Sequence, residues 1–408
     1  MTDLGTVDLR DPDLYVGGMP YAELAALRAA GPVHWNPESD GAGFWAVLGF
    51  DDIVTVSRQA DLFSSAHENG GHRIFNENEV GLTGAGEAAI GIPFISRDPP
   101  THTQYRKFVM PALSPARLEG IEARITERVE RLFAEVPLNE TVNILPLLTV
   151  PLPLLTLAEL LGVPAEMWHD LHRWTDAFVG EDDPDFRQSP EAMQAVMGEF
   201  IGFAAALFEE RRANPGPDIA SLLANTEIHG APVPLGDFIG NLILALVGGN
   251  ETTRNSINHS LIAFANNPDQ WDAIRADPGL LPNAVKEMVR YASPVIHMRR
   301  TATRDTELGG QTIRKGDKVV VFYPSGNRDP SVFPDPETFD IARPIRQHLA
   351  FGAGTHVCVG SRLAEMQLRL AFAEMARHVR RIEILGEPSR VRSNFINGFK
   401  RLDVRLIA

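Results

Sequence analysis

A chain of 408 residues, 44% hydrophobic and 22% charged, has the composition of a folded globular protein, and at this length it can bury enough surface to enclose a cofactor and an apolar ligand. Its formal net charge of −15 and the lack of any Lys/Arg run exclude a phosphate-backbone binder, so no nucleic-acid partner is expected. A single cysteine excludes an internal disulfide; this suits a reducing cytoplasm and leaves Cys358 available as thiol, nucleophile or metal ligand.

The first ten residues, MTDLGTVDLR, carry neither the basic start nor the apolar stretch of a secretory signal or membrane anchor, so a soluble cytoplasmic protein is expected. In GPVHWNPESDGAGFWAVLGF two short aromatic-rich runs flank Asn36, Pro37, Asp40 and Gly41, which predicts a β-hairpin. Apolar residues at three-to-four spacing predict helices over 117–135, 164–179, 189–213, 235–265 and 281–291, and again after Cys358 through Leu363, Met366, Leu370 and Met375. The apolar stretch from Ile144 to Gly162 is broken by Pro146, Pro151, Pro153 and Glu159, which suits core packing better than a lipid-exposed span. QTIRKGDKVVVFY reads as a second hairpin turning at Lys315-Gly316-Asp317. With no repeat or linker, the expected architecture is one domain over 1–408, mainly α with small β-sheets, its β-rich parts at roughly 30–60 and 292–325.

Two segments carry chemistry. The helix over 235–265 is apolar nearly all round in its first half, with Phe238, Ile239, Leu242, Ile243 and Leu246, so it runs through the core. At its middle stands Gly248-Gly249-Asn250-Glu251-Thr252-Thr253, where each glycine costs roughly 1 kcal/mol relative to alanine. Adjacent glycines open a notch in a buried helix, and an acid followed by a hydroxyl can relay protons; close helix crossing is the alternative use of such glycines. The second segment, His348-Leu-Ala-Phe351-Gly352-Ala-Gly354-Thr-His356-Val-Cys358-Val-Gly360, sets the cysteine among glycines just before a helix. Glycines let the backbone pass close to a flat partner, and the following helix N-terminus favours a thiolate. Such a sulfur is a haem ligand, a nucleophile or an inert core thiol.

Phe-Gly-x-Gly-x-His-x-Cys-x-Gly resembles the haem-binding loop of the cytochromes P-450, and Gly248 to Thr252 resembles the oxygen-binding segment of that family's long central helix. The resemblance extends from about Asp98 to the C-terminus and implies the family's fold, with haem b between the central helix and the cysteine-loop helix. It implies that Cys358 is the iron ligand, that Phe351, Gly352 and Gly360 lie against the haem, and that His356 meets a propionate. Asp98-Pro99-Pro100-Thr101-His102-Thr-Gln-Tyr-Arg106 resembles a helix start that supplies propionate contacts, and His102 and Arg106, one turn apart, are suited to anions. Arg300 resembles a third such contact, with Arg299 the competing choice. Glu287-Met-Val-Arg290 matches the family's structural Glu-x-x-Arg pair; alone, residues three apart are most often a surface pair. His67 and His72 lie where relatives carry a substrate-facing loop, and they lack the further ligands a zinc site needs.

The implied activity is insertion of one atom of dioxygen into a C–H bond, with Glu251 and Thr252 routing protons and Gly248 and Gly249 giving room for the oxygen. Leu242, Ala245, Leu246, Val295, Ile296, Met298 and Phe395 are expected to wall an apolar pocket for an aliphatic, terpenoid, lipid or sterol-like substrate, with His297 adding a polar contact. The chain ends 50 residues beyond the cysteine, so electrons are expected from separate proteins; the resemblance implies a ferredoxin and a flavin reductase drawing on NAD(P)H, the ferredoxin docking near Arg106, Lys107, Arg362 or Arg369. A cysteine-nucleophile hydrolase and a haem-binding protein without enzymatic activity are the rival readings.

Overall fold

The computed structural model of the chain describes residues 7–39, 41–74, 90–180 and 182–408. In chain order its helices are α1 (Tyr21–Ala30), α2 (Phe50–Arg58), α3 (Thr101–Val109), α4 (Pro115–Ala134), α5 (Pro151–Leu161), α6 (Trp168–Val179), α7 (Pro190–Ala213), α8 (Ile219–Ala224), α9 (Leu235–Asn266), α10 (Pro268–Ala276), α11 (Leu281–Ala292), the single turn α12 (Tyr323–Gly326) and α13 (Ser361–His378). The strands are β1 (Val33–Asn36), β2 (Phe44–Val47), β3 (Phe63–Ser64), β4 (Thr141–Asn143), β5 (Glu227–Ile228), β6 (Ala231–Pro232), β7 (His297–Ala302), β8 (Thr306–Leu308), β9 (Gln311–Ile313), β10 (Lys318–Phe322), β11 (Arg381–Ile384), β12 (Ser389–Arg390), β13 (Phe399–Arg401) and β14 (Asp403–Ile407). The fold is mainly α with small sheets, as the periodicities predict.

The 32-residue helix α9 forms the axis, packed by α5, α6, α7, α11 and α13. Its apolar first half buries Phe238, Ile239, Leu242 and Leu246 in a core shared with Leu152 and Leu154 of α5, Trp174 of α6, Phe200 of α7 and Phe372 of α13. Each such side chain contributes roughly 1.5–3 kcal/mol on leaving water. The helix stops where Pro268 forces Asn267 out of the helical region, to φ −132° and ψ 66°. Among the described residues α7 is long and apolar enough to cross a membrane; its Phe200, Ala204 and Leu207 are packed in the core instead.

The largest sheet has the order β1-β2-β10-β7-β3. The predicted first hairpin forms, with Trp35 opposite Trp45. The predicted second hairpin does not. The turn at Gly316 exists, but β10 pairs in parallel with β2 and antiparallel with β7, while β9 pairs with β8. Gly309 and Gly310, both with positive φ (54° and 78°), make the tight β8–β9 turn and take β9 as partner. The all-buried residues of β10, Lys318 to Phe322, suit a central strand.

Candidate functional site

The cysteine loop is shaped by two glycines in left-handed conformations, Gly352 (φ 69°) and Gly354 (φ 64°). At Gly354 a side chain is excluded, because a Cβ would stand 2.1 Å from the Ser57 carbonyl oxygen. The loop closes with the Cys358 amide donating to the Phe351 carbonyl at 2.8 Å, and α13 begins at Ser361. The sulfur is accessible to a solvent-sized sphere yet surrounded by protein. Burial pushes the thiol pKa up, opposed by hydrogen bonds from the Gly360 and Ser361 amides and by the Arg106 charge. A bare thiol here stays protonated; a cation bound to the sulfur would reverse that balance.

Four basic side chains from three separate elements converge beside this loop. His102 and Arg106 come from α3, Arg300 from β7 and His356 from the loop, with the rings of His102 and His356 4.1 Å apart. His356 Nε2 meets Ser65 Oγ at 3.2 Å, whereas both ring nitrogens of buried His102 have no partner. Arg106 and Arg300 make no ion pair among the described residues, and Arg300, 5% exposed, donates only to the Arg299 carbonyl, at 2.7 Å. Burial, then the charges of Arg106 and Arg300, lowers the His102 pKa to about 4. His356 falls to about 2 through burial and the charges of Arg300, His102, His72 and Arg106. This is a surplus of positive charge and donors with no anion in ion-pair contact among the described residues, the charge of Asp98 acting on Arg300 from farther off.

Strand alternation puts Arg299 and Arg300 on opposite faces of β7. Met298 and Arg300 share one face of β7; Arg299 and Thr301 take the other, where both bond the Asn69 carbonyl (3.5 and 2.6 Å). The residues 75–89 that continue the expected loop after His67 and His72 lie outside the described residues.

At the middle of α9 the residues left accessible are Ile243, Leu244, Ala245, Val247, Gly248, Gly249 and Thr252, and among them Leu244, Ala245, Gly248 and Thr252 form one stripe at helical spacing. A Cβ at Gly248 would meet nothing within 4 Å, while one at Gly249 would make only ordinary contacts with Leu157, the nearest at 3.5 Å, so these glycines do not serve a close helix crossing. Thr252 Oγ1 donates to the Gly248 carbonyl at 2.7 Å. Glu251, rotated off the stripe, is buried and paired with Arg254 (Nη2 to Oε2, 2.6 Å). Burial raises its pKa, offset in part by Arg254.

Three expected pocket residues are corrected by this geometry. Leu242 (2% exposed) and Leu246 (0%) point away from the stripe into the main core, and Ile296 (0%) into a smaller one. Leu244 is accessible where they are not, and stepping back by fours from Thr252 finds it. Ala245, Val295 and Met298 remain accessible, and Phe395 (7%) is nearly covered. His297 is fully buried with both nitrogens engaged, Nδ1 to the Asn394 carbonyl (3.0 Å) and Nε2 to the Ile74 amide (3.2 Å), so it has no polar contact to offer a substrate.

Glu287 and Arg290 form a bidentate pair at 2.6 and 2.7 Å, with Arg343 Nε 3.3 Å from the same carboxylate. Arg290 also donates to the carbonyls of Asn327, Pro336 and Thr338. Both members of the pair are wholly buried, unlike the surface pair that spacing alone suggests.

The cytochrome P450 family model matches residues 156–382. The chain belongs to the cytochrome P450 family. It is 64% identical over 400 residues to the linalool 8-monooxygenase of Pseudomonas putida, across 98% of each chain. It is 37% identical to the steroid C26-monooxygenase of Rhodococcus jostii strain RHA1, across 97% of this chain and 84% of the relative. A Mycobacterium marinum cytochrome P450 solved in complex with pseudoionone superposes with a TM-score of 0.90 at 34% identity, across 98% of both chains. This cytochrome P450 is therefore a monooxygenase with the family's haem between α9 and the cysteine-loop helix α13. The hydrolase reading is displaced, and His356 turns to Ser65 rather than to the sulfur as a base would.

Proposed function

We propose that this cytochrome P450 oxygenates a linalool-like terpenoid at a terminal carbon, with Cys358 as the axial ligand of haem b. The observation that carries the reading is the unmatched positive cluster beside the cysteine. His102, Arg106, Arg300 and His356 present donors at one edge of the loop, and the two propionates of haem b are the anions that would satisfy them. Phe351, Gly352 and Gly360 on the cysteine side, and Gly248 and Gly249 on α9, would flank the ring plane. When bound, the haem supplies dioxygen binding and activation, which a thiolate ligand favours.

The chain's own residues do the rest. The Gly360 and Ser361 amides hold negative charge on the sulfur. Thr252 Oγ1, bonded to the Gly248 carbonyl, holds a hydroxyl on the accessible stripe, and Glu251, its pKa raised by burial, stores the proton that Thr252 passes on. Leu244, Ala245, Val295, Met298 and Phe395 give the substrate an apolar wall with no charge to pair, which suits an uncharged terpenoid. The 64% identity to a linalool 8-monooxygenase supports that class over a steroid, whose named oxygenase is 37% identical.

Electrons come from NAD(P)H by way of a reductase and a ferredoxin in the cytoplasm, to a single domain over 1–408. Of the basic residues near the cysteine loop, Lys107 and Arg362 are exposed without an ion pair among the described residues, whereas Arg369 is held by Glu122 at 2.8 Å. An acidic ferredoxin would meet the first two.

The test is a carbon monoxide difference spectrum of the reduced protein, with and without Cys358→Ser, followed by turnover of linalool with a ferredoxin system. A far-shifted Soret band that the variant loses, and a terminally oxygenated product, are the expected results. A protein without porphyrin, or a spectrum indifferent to the variant, overturns the ligand assignment; rejection of linalool overturns the substrate class.

A further inference from the structure

One face of β7 carries Met298, which is accessible, and the other carries His297, Arg299 and Thr301 by strand alternation. The segment 69–74 runs on from β3 beside this strand and is tied to it at three points. Thr301 Oγ1 donates to the Asn69 carbonyl at 2.6 Å, the Arg299 amide donates to the His72 carbonyl at 2.8 Å, and the Ile74 amide donates to His297 Nε2 at 3.2 Å. The C-terminal loop is tied to the same histidine. His297 Nδ1 meets the Asn394 carbonyl at 3.0 Å, and the carbonyl of the next residue, Phe395, accepts from the Ile296 amide at 2.9 Å. The Phe395 ring stands edge-on to the imidazole with centres 5.4 Å apart, and the Arg73 guanidinium lies 4.3 Å from the centre of the same ring. His297 is wholly buried, so both of its bonds are made away from water.

The partners fix the state of the ring. An amide N–H only donates, so Nε2 accepts and carries no proton; a carbonyl only accepts, so the proton sits on Nδ1. A single neutral tautomer therefore serves both loops, and burial, which lowers the pKa to about 3, keeps the ring neutral. We propose that His297 is a positioning residue for substrate selectivity: by joining the segment 69–74 to the C-terminal loop it fixes Phe395, and with it the wall that decides which carbon of the substrate is presented for oxygenation. The inference rests on the reading of Phe395 as part of the substrate wall. Without the imidazole, the Ile74 amide and the Asn394 carbonyl are left unpaired in the interior, and the two loops part until water reaches them. Phe395 moves with the loop that carries it.

Three variants separate the two bonds. His297→Leu removes both, His297→Asn keeps a side-chain N–H near the Nδ1 position for Asn394, and His297→Gln keeps a carbonyl near the Nε2 position for Ile74. All three should retain the wild-type spectrum of the reduced carbon monoxide complex. In that complex, hydrogen exchange should quicken by about tenfold at Ile74 and across 393–397 in His297→Leu, chiefly at Ile74 in His297→Asn, and chiefly across 393–397 in His297→Gln. With linalool, His297→Leu should form a severalfold smaller share of terminally oxygenated product, and the other two should fall between it and the wild type. As a probe independent of the natural substrate, 4-phenylimidazole should bind the haem protein about threefold to tenfold more weakly in His297→Leu, while imidazole, too small to reach the wall, stays within about twofold. Unchanged exchange in His297→Leu overturns the link between the loops. Faster exchange with unchanged product ratios and unchanged 4-phenylimidazole binding overturns the selectivity role. If the wild type rejects linalool, the terpenoid reading fails, and the exchange and 4-phenylimidazole measurements still decide the role of His297.

Discussion

Two buried clusters of charge in this protein keep opposite accounts. Around Glu287, every carboxylate oxygen and most guanidinium donors are matched by Arg290, Arg343, the Asp340 amide and nearby carbonyls. Around His102, Arg106, Arg300 and His356, cations and ring nitrogens are brought together with no carboxylate ion-paired to them among the described residues, Asp98 acting on Arg300 only at longer range, and neither ring nitrogen of His102 has a hydrogen-bond partner. Buried polar groups left unmatched cost roughly 1–3 kcal/mol each. A cluster that satisfies itself belongs to the fold; one that does not is completed by something the fold is built to hold.

The sharpest way to break this contrast is Glu287→Ala, which strands Arg290 and Arg343 in the core. Loss of about 3–5 kcal/mol in a urea titration is expected, the usual cost of breaking a buried pair from one side. Arg300→Leu should behave oppositely. The haem-free protein should be no less stable, because a buried unpaired cation is gone, while haem transfer to apomyoglobin speeds by about tenfold to a hundredfold, matching roughly 1.5–3 kcal/mol for a charged hydrogen bond. Arg299→Leu, on the opposite face of β7, should leave that transfer within about twofold.

A smaller effect separates satisfied histidines from waiting ones. His297 has its pKa lowered by burial from 6.5 to about 3. The unfolded chain then binds a proton that the folded chain refuses, so its contribution to stability is complete above pH 6.5 and is lost as pH falls toward 3. At pH 5 that one group costs up to about 2 kcal/mol relative to neutral pH. His297→Gln should flatten the acid limb of the stability profile by about that amount. At His102 the same acidification should cost less once haem is bound, because an anionic partner raises the lowered pKa. The smallest effect concerns the stripe on α9. Leu244→Ala should weaken a linalool-induced spectral shift about fivefold, near 1 kcal/mol for lost apolar contact, while Leu242→Ala lowers stability by roughly 2–5 kcal/mol and leaves the shift alone.

Much of this was legible before any coordinates. The cysteine loop is readable because its glycines, histidine and cysteine act within one stretch of chain, and local geometry sets their relation. Long helices such as α4, α7 and α9 announce themselves by periodicity. The shorter α1, α2, α8 and α10 were not singled out, since windows of 6–10 residues carry too few apolar repeats. The second hairpin failed because a turn between two strands does not say which strands pair.

The sequence by itself determined the chemistry: a lone thiol before a helix start, a Gly-Gly-Asn-Glu-Thr interruption in a buried helix, and a helix-dominated fold. Only the tertiary structure decided which side chains share a space. That Arg299 and Arg300 take opposite faces follows from the pairing of β7 with β10, that Leu242 is packed while Leu244 stays accessible from which side of α9 is covered, and the Asp176–Arg254–Glu251 contact from α6 lying beside α9. The reason is physical: residue type and spacing set what a group can do and which local face it occupies, but the direction of that face is set by contacts between elements far apart in the chain.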